Sequence, residues 1–347
     1  MRTGALPGLD LARLRSYLDR TRPGLLRGPL SGQLIGGGRS NLTYRVTDGT
    51  SRWVVRRPPL GHVLPTAHDM AREHRVISAL ASTEVPVPRT VLLCEEPTVI
   101  GAVFFVMAEA PGTVYRRREQ TDVLSAGDRE RLAHTLVDTL AALHRVDPDR
   151  VGLGDFGRPQ GYLDRQVRRW SRQLEQSRSR DLAGIEELRR RLQQRPPITQ
   201  RDSIVHGDYR LDNVLVDGAD PARVTAVLDW EMATLGDPLA DLGLLLVYWD
   251  GLGSLDNPIV DAVGERAGFP AGAALAGRYA RRTGLDLDDL PWYVGFGYYK
   301  LAVILEGIHY RYVCGQTVGD GFDRVGAVVQ PLARMGLDAV AEVPVRR

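Results

Sequence analysis

Two short segments of this 347-residue chain hold polar residues at a spacing that could do chemistry. The segment 206–213 reads His-Gly-Asp-Tyr-Arg-Leu-Asp-Asn, which places the carboxylate of Asp208 five residues before the amide of Asn213. Apolar runs flank this segment, and a further apolar run at 224–228 ends at Asp229. Strands joined by a tight turn would bring the three polar side chains to one edge. One carboxylate could then orient a hydroxyl, while the amide and the other carboxylate hold a divalent cation.

That combination is what the transfer of a phosphoryl group from ATP to an alcohol requires. The spacing His-x-Asp-x-x-x-x-Asn, followed by a strand that ends in Asp, resembles the catalytic and metal-binding loops of protein kinases. Gly207 and the sequence Asp229-Trp-Glu resemble instead the aminoglycoside phosphotransferase branch, which includes choline kinases and homoserine kinases. An isolated His-Gly-Asp could also be a plain turn, since Gly and Asp favour turns. The agreement of Asn213 and Asp229 with the same pattern favours the resemblance.

The resemblance implies an α+β, bilobal protein-kinase-like fold that uses ATP and Mg²⁺ as cofactors. Residues 1–108 are expected to form a nucleotide-binding lobe with an antiparallel sheet and a helix, and residues 109–112 a hinge. Residues 113–347 are expected to form a mostly helical lobe that carries catalysis and acceptor binding. This lobe includes a charged helical insertion at about 158–195.

Within the loop at 206–213, the resemblance implies catalytic roles for Asp208 and Arg210. Asp208 would accept the proton of the acceptor hydroxyl, and Arg210 would neutralise charge on the transferred phosphoryl group. Asn213 and Asp229 would bind Mg²⁺, because hard oxygen ligands suit that ion. Asp241, in the first turn of a following helix, could hold the loop by hydrogen bonds.

Length and composition agree with a two-lobed soluble enzyme. A chain of 347 residues exceeds the usual range of a single core. A net charge of +2 argues against a dedicated nucleic-acid binder, and the longest apolar stretch, 242–249, is too short to cross a bilayer. We therefore expect a small hydroxylated molecule as partner, with no nucleic acid and no membrane. The oligomeric state stays open.

The two cysteines, Cys94 and Cys314, lie far apart and lack the spacing of a metal site. They are expected to be buried thiols in a reducing cytoplasm. The N-terminus lacks the continuous apolar core of a secretory signal, which also favours a cytoplasmic location.

The basic residues are almost all arginine. Of 45 Lys and Arg residues, Lys300 is the only Lys and the other 44 are Arg. A genomic bias toward GC-rich codons is the simplest explanation. A consequence is that any site that kinases fill with Lys must here hold Arg or Lys300.

The N-terminal part has a glycine-rich turn before an alternating strand at 42–46. Backbone N–H groups of such a turn can approach phosphate oxygens without obstruction by Cβ atoms. A plain β-turn is the alternative. The residues expected to contact the nucleotide phosphates here are Gly36, Gly37, Gly38, Ser40 and Asn41.

A strand at 52–57 follows, and its register places Arg56 where kinases hold the lysine that contacts the nucleotide phosphates. Arg57 would then point to the opposite face. Glu73, on a helix at about 66–80, is its expected partner, although a surface ion pair is an alternative. After two more apolar segments, Glu109 begins the hinge whose backbone would meet the adenine.

The C-terminal part is helical by pattern at 128–146, 258–267, 271–283, 291–314 and 321–335. The arginine-rich insertion is either a solvated helical hairpin or a basic wall for an anionic substrate such as a CoA thioester. In the resembled family such helices build the acceptor pocket. The candidate acceptor-binding residues are Glu231, Lys300, Glu306, His309 and Arg311.

Further phrases, including Val-Arg-Arg-Pro-Pro and Leu-Asp-Trp-Glu-Met-Ala-Thr-Leu-Gly-Asp-Pro, resemble the kinase-like domains associated with acyl-CoA dehydrogenases. That subgroup implies phosphorylation of a hydroxyacyl-CoA. Transfer to an aminoglycoside or amino alcohol is one alternative, and a non-catalytic pseudokinase-like nucleotide-binding module, favoured only by Arg56, is another. A protein Ser/Thr kinase is disfavoured because no Ala-Pro-Glu follows Asp229.

Overall fold

The computed structural model describes residues 6–35, 41–60, 69–255, 263–264, 267–316 and 322–342. The chain forms two compact units. The first unit comprises residues 1–111 and the returning segment 225–231, and the second comprises 112–224 and 232–347. The division falls after Pro111, next to the expected hinge, whose role as a hinge remains a prediction.

The first unit is built on a five-stranded antiparallel sheet with the strand order β1-β2-β3-β5-β4. Two helices accompany it. The elements are α1 (Leu11–Thr21), β1 (Ser31–Leu34), β2 (Leu42–Thr47), β3 (Arg52–Arg57), α2 (Met70–Leu80), β4 (Thr90–Cys94) and β5 (Phe104–Ala108). The returning segment carries most of β8 (Val224–Val227) and is tied to this unit by the Val227 N–H, which donates to the Pro86 carbonyl over 2.8 Å.

The alternation of side chains along β3 decides which face each arginine occupies. Trp53 and Val55 pack into the apolar cluster beneath α1. Arg57 shares their parity, and its guanidinium donates to the carbonyls of Gly8 and Ile100 on that side. Arg56 therefore points to the opposite face, as the register of the sequence predicts.

The described part of the second unit is mostly helical and includes three short strands. Its helices are α3 (Arg118–Asp122), α4 (Ala126–Arg145), α5 (Tyr162–Ser177), α6 (Ile185–Gln194), α7 (Leu239–Trp249), α8 (Gly272–Thr283), α9 (Leu290–Val313) and α10 (Val329–Ala341). Its strands are β6 (Ser203–Val205), β7 (Val214–Val216) and β9 (Thr234–Gly236), and β6 pairs with β9 in antiparallel fashion. The α+β class and the kinase-like distribution of sheet and helices are thus confirmed.

Glycines allow α7 and α9 to approach closely. A Cβ atom at Gly243 would lie 2.5 Å from the backbone carbonyl group of Tyr293, and one at Gly297 would lie 3.3 Å from the Gly243 oxygen. Such contacts leave no room for a larger residue. Their consequence is that Asp241 at the start of α7 and Lys300 on α9 both reach the loop that follows β6.

The structure agrees only in part with the expectations for individual segments. The insertion forms the two helices α5 and α6, as expected. The expected helix at 258–267 falls mostly outside the described residues, and the last helix begins at Val329 after a 3₁₀ turn, not at 321. Cys94 is buried, but the expectation for Cys314 is wrong, because this residue follows the exposed end of α9. Within the described residues, no helix combines the length and apolar character that a bilayer crossing requires.

We expect Gly243→Ala to lower the stability of the protein by about 1–3 kcal/mol, since the added methyl overpacks the α7–α9 contact. Gly277→Ala is the matched control, because a Cβ at this α8 position would meet only the Arg281 guanidinium, at 3.5 Å. That change should raise stability by about 0.5–1 kcal/mol through helix propensity. Urea unfolding curves measure both effects. Equal effects of the two substitutions would contradict the close packing of α7 on α9.

Candidate active site

The predicted site residues fall into two groups, one in each unit. Arg56, Glu73, Asp229 and Glu231 belong to the first unit, and the loop at 206–213 belongs to the second. The glycine-rich turn residues Gly36, Gly37, Gly38 and Ser40 lie outside the described residues.

In the first unit, one buried guanidinium faces three carboxylates. Arg56 Nε lies 3.3 Å from Glu73 Oε2, and Arg56 Nη2 lies 2.8 Å from Asp229 Oδ1. The Glu231 carboxylate is 4.0 Å from the same Nη2 atom. The helix that supplies Glu73 is started by Asp69, whose side chain accepts the N–H of Arg72. The pairing of Arg56 with Glu73 was expected, whereas the contacts with Asp229 and Glu231 were not.

This cluster carries more negative than positive charge. Burial raises the pKa of Glu73 to about 7, against the opposing effect of Arg56, and the Asp229 and Glu231 carboxylates raise it further. Although burial opposes it, the carboxylates of Glu73, Asp229 and Glu231 raise the pKa of Arg56. A backbone hydrogen bond from Trp230 lowers the pKa of Glu73 but does not offset the effect of burial. A cation placed here would reduce the repulsion among the three carboxylates.

The backbone at Asp229 aims its carboxylate at Arg56. Asp229 has a φ of 64°, and among the described residues it is the only non-glycine residue with positive φ. Aspartate tolerates this left-handed conformation better than most residues. Trp230 is buried next to it, and its indole N–H donates to the Val227 carbonyl over 2.9 Å. The turn after β8 is therefore anchored by Trp230 while Asp229 stays one-third exposed.

Two predicted nucleotide contacts have other partners in the structure. Asn41 is buried and its amide nitrogen donates to Glu231 over 2.9 Å, so a phosphate contact for this side chain remains a prediction. The Glu109 carboxylate pairs with Arg45, and its N–H donates to the Arg52 carbonyl. A contact between the Glu109 backbone and the adenine therefore remains a prediction.

In the second unit, the loop after β6 is held by its backbone. The carboxylate of Asp241 accepts the N–H groups of His206 over 2.6 Å and of Gly207 over 2.8 Å. Gly207 has a φ of 83°, and a Cβ atom there would lie 2.8 Å from the carbonyl oxygen of Met232. Only glycine fits this turn. The expectation that Asp241 holds the loop by hydrogen bonds is confirmed.

Asp241 is itself supported by a buried histidine. His144 Nε2 lies 3.2 Å from Asp241 Oδ2, and His144 Nδ1 lies 2.6 Å from the Tyr279 hydroxyl. Although burial opposes it, the hydrogen bond with His144 lowers the pKa of Asp241. The carboxylate is thereby kept in the charged form that two backbone donors require.

The side chains of the loop alternate between the interior and solvent. Tyr209 is buried and its hydroxyl donates to the Leu136 carbonyl, whereas the Asp208 side chain is 23% exposed. Arg210 Nε lies 3.4 Å from Asp208 Oδ2 and 3.0 Å from Asp212 Oδ1. Its guanidinium also stacks over the Tyr248 ring, 4.8 Å from the centroid. A cation is therefore already in place beside the candidate base.

Asn213 presents its amide in one orientation. The amide nitrogen donates to the Asp208 backbone oxygen over 2.8 Å and to Asp208 Oδ2 over 3.0 Å, which leaves the amide oxygen to bind a cation. No group of three or more His, Cys, Asp or Glu side chains converges as a metal site within the described part of the chain. Mg²⁺ suits such a surrounding, because it commonly takes one or two protein oxygens and completes its shell with water and phosphate.

The predicted acceptor residues occupy different environments. Glu306 is fully buried and pairs with Arg180 over 2.8 Å, and an acceptor contact for it remains a prediction. Lys300 is also buried, and its ammonium donates to the Gly207 carbonyl. His309 is half-buried against Gly326, and Arg311 is exposed near the end of α9. Glu231 lies with Arg56 in the first unit.

The charge cluster predicts a pH-dependent stability. Because the folded pKa of Glu73, about 7, exceeds its ordinary value of 4.5, its contribution to stability is fully present below 4.5 and is lost as pH rises through 7. Glu73→Gln removes the carboxyl group and with it this loss. When the pH is raised from about 5.5 to about 8.5, the thermal midpoint of the variant minus that of wild type should therefore increase by a few degrees.

The control is Glu84→Gln, which replaces an exposed carboxylate in the same unit. It should leave the midpoint within about 1 °C of wild type at both pH values. All measurements use buffer free of nucleotide and metal. The same difference between Glu73→Gln and wild type at both pH values would contradict the assignment of a raised pKa to Glu73.

Known proteins share sequence and fold with this chain. The sequence pattern of the phosphotransferase enzyme family matches residues 31–281. Acyl-CoA dehydrogenase family member 11 of Gallus gallus is 34% identical over 339 residues, which are 95% of this chain and 43% of that protein. This chain thus spans less than half the length of that relative.

Solved structures give the same relationship. A Ralstonia eutropha protein named for the aminoglycoside phosphotransferases superposes with a TM-score of 0.83 at 32% identity, over 97% of this chain and 99% of its own. The ternary complex of aminoglycoside phosphotransferase APH(4)-Ia with ADP and hygromycin B superposes with a TM-score of 0.58 at 16% identity, over 91% and 95% of the two chains. At that identity the likeness concerns the fold alone.

Proposed function

Because this chain belongs to the phosphotransferase enzyme family, we propose that it transfers the γ-phosphoryl group of ATP, with Mg²⁺, to a hydroxyl of a small acyl-CoA. That it is a phosphotransferase with an alcohol group as acceptor follows from the family. The observation that supports the mechanism is the partly exposed carboxylate of Asp208 on a loop whose backbone is bonded on two sides. A base held in this way can meet an acceptor hydroxyl without rearrangement.

In the proposed reaction Asp208 accepts a hydrogen bond from the acceptor hydroxyl and takes its proton as the new O–P bond forms. Arg210, which lies beside Asp208, supplies positive charge next to the transferred group. The hydrogen bonds from the Asn213 amide hold the Asp208 carboxylate in one orientation. His206 is buried and supports the loop, so it is not the base.

The proposed ligands of Mg²⁺ are the amide oxygen of Asn213 and the carboxylate of Asp229. When bound, Mg²⁺ neutralises charge on the phosphate oxygens. Arg56 is proposed to contact the nucleotide phosphates, since its guanidinium can donate several hydrogen bonds at once. Its ion pair with Glu73 orients it for this role.

The acceptor class rests on charge and on similarity. On α5, the exposed residues Arg168, Arg169 and Arg172 form no ion pair within the described residues. By contrast, the arginines of α6 pair with Glu186 and Glu187. Unpaired arginines at the start of the insertion favour an anionic acceptor, and CoA carries phosphates. The similarity to a protein named for the acyl-CoA dehydrogenases supports the same class.

An aminoglycoside is the second candidate, because the fold is shared with a protein solved with hygromycin B. ADP release from Mg·ATP distinguishes the two when 3-hydroxybutyryl-CoA, butyryl-CoA, choline and hygromycin B are compared. We expect turnover with 3-hydroxybutyryl-CoA and none with butyryl-CoA, which lacks the hydroxyl. Turnover with hygromycin B alone would replace the acyl-CoA proposal, and ATP binding without any turnover would favour a nucleotide-binding module.

We expect Asp208→Asn to lower kcat by about 10² to 10⁴, the range for loss of a general base. The change keeps the shape of the side chain but removes its charge, so affinity for Mg·ATP should stay near that of wild type. Steady-state kinetics and equilibrium nucleotide titration separate the two effects. Full kcat in Asp208→Asn would show that the proposed base is wrong.

Adjacent arginines on β3 should give opposite results. Arg56→Ala should raise KM for ATP or lower kcat by about 10- to 100-fold, as expected for lost charged hydrogen bonds, and Arg56→Lys should restore part of the activity. Arg57→Ala removes bonds to the Gly8 and Ile100 carbonyls and should lower the thermal midpoint without changing KM for ATP. The reverse pattern would contradict the role given to Arg56.

A further inference from the structure

The single lysine of the chain, Lys300, lies in surroundings that suit an ammonium group better than a guanidinium. With 44 arginines and one lysine, most positions that need a positive charge are filled by arginine. Arginine has a planar fork with five donors, whereas lysine has a compact ammonium group. A lone lysine in such a composition therefore marks a site with room and acceptors for an ammonium only.

The surroundings of Lys300 fit this reading. Its side chain is 6% exposed on α9, and its Nζ donates to the backbone carbonyl of Gly207. The same Nζ lies 5.4 Å from the centre of the Trp170 ring on α5. One carbonyl and one aromatic face satisfy an ammonium. A guanidinium would leave several donors buried without acceptors.

The carbonyl that Lys300 binds belongs to the peptide group that leads into Asp208. The N–H at the other end of this peptide group, that of Asp208, donates to His206 Nδ1 over 3.2 Å. The preceding N–H groups of His206 and Gly207 are held by Asp241. The plane of the Gly207–Asp208 peptide is thus held at both ends. Its orientation sets the direction in which the Asp208 side chain leaves the backbone.

Several charged groups of both signs surround Lys300. Burial lowers the pKa of Lys300, while the carboxylates of Asp208 and Asp241 raise it. Arg169 and Arg210 face it from α5 and from the loop and lower its pKa further. Its bond to the Gly207 carbonyl therefore lies among two acidic and two basic groups.

We propose that Lys300 is a positioning residue for phosphoryl transfer, which orients Asp208 by holding the Gly207 carbonyl. The inference rests on the proposed function, because it assigns Lys300 an effect through the base of that reaction. Lys300 is buried against the loop, and its effect passes through the backbone. It is thus distinct from an acceptor-binding residue.

The kinetic test is a double-mutant cycle with Asp208, in which ADP release from Mg·ATP is measured with 3-hydroxybutyryl-CoA. Lys300→Met should lower kcat by about 10- to 100-fold, the effect of a small displacement of a reacting group, with KM for both substrates within about twofold of wild type. In the Asp208→Asn background, Lys300→Met should cause no further loss. Lys300→Arg should show a lowered kcat, as Lys300→Met does. Arg334→Met, which removes an exposed cation on α10, should match wild type.

Hydrogen exchange supplies a readout that needs no acceptor. In peptides spanning 203–216, the amides of the loop should exchange about 10-fold faster in Lys300→Met than in wild type, as expected for loss of one charged hydrogen bond. Arg334→Met should leave them unchanged. If wild type turns over no probe, the proposed function fails while this measurement still decides whether Lys300 holds the loop.

Three results would overturn the proposal. The first is wild-type hydrogen exchange and wild-type kcat in Lys300→Met, and the second is full kcat in Lys300→Arg. The third is a kcat in the double variant that is lowered by the product of the two single-variant losses. If Lys300→Met is recovered only as aggregate, Lys300→Gln carries the same test. Its amide can donate to the Gly207 carbonyl, so it should fold and show a kcat between those of wild type and Asp208→Asn. Wild-type kcat in Lys300→Gln combined with wild-type exchange would also count against the proposal.

Discussion

The geometry of the candidate active site depends on one buried carboxylate. Asp241 lies in the first turn of α7 and accepts two consecutive backbone N–H groups of the loop after β6. A buried carboxylate without donors would cost several kcal/mol, and so would two buried N–H groups without an acceptor. Each partner therefore requires the other. His144 and the close α7–α9 contact at Gly243 hold Asp241 where both requirements are met.

In the first unit, by contrast, carboxylates outnumber the cation that they surround. There, the carboxylates of Glu73, Asp229 and Glu231 surround one guanidinium, and Glu73 is almost fully buried. Such an arrangement lowers the stability of the protein in the absence of a cation. Functional sites often retain this kind of local strain, because the same repulsion favours binding of the missing charge. The second unit positions the loop of Asp208 with satisfied hydrogen bonds, whereas the first unit holds three carboxylates around one guanidinium.

Most of the fold and the central loop could be predicted because their signals are local. Gly207, Asp208 and Asn213 lie within seven positions of one another, and strand parity alone separates Arg56 from Arg57. The contact between Asn41 and Glu231 joins residues 190 positions apart, and the pair Arg180–Glu306 joins residues 126 apart. No periodicity or spacing in the sequence predicts such contacts. The ion pair between Glu306 and Arg180 of the insertion could therefore not be predicted, and acceptor binding by Glu306 remains a prediction from the resemblance.

The contrast between Arg56 and Lys300 bears on whether arginine at the first position indicates lost catalysis. Both are buried cations in a chain that uses arginine almost everywhere. Arg56 meets three carboxylates from different directions, a setting that suits a fork of donors. Lys300 meets one carbonyl and one ring, which suit an ammonium. The position proposed to contact the nucleotide phosphates therefore has surroundings that accommodate an arginine. Arg56 is then poor evidence for a pseudokinase.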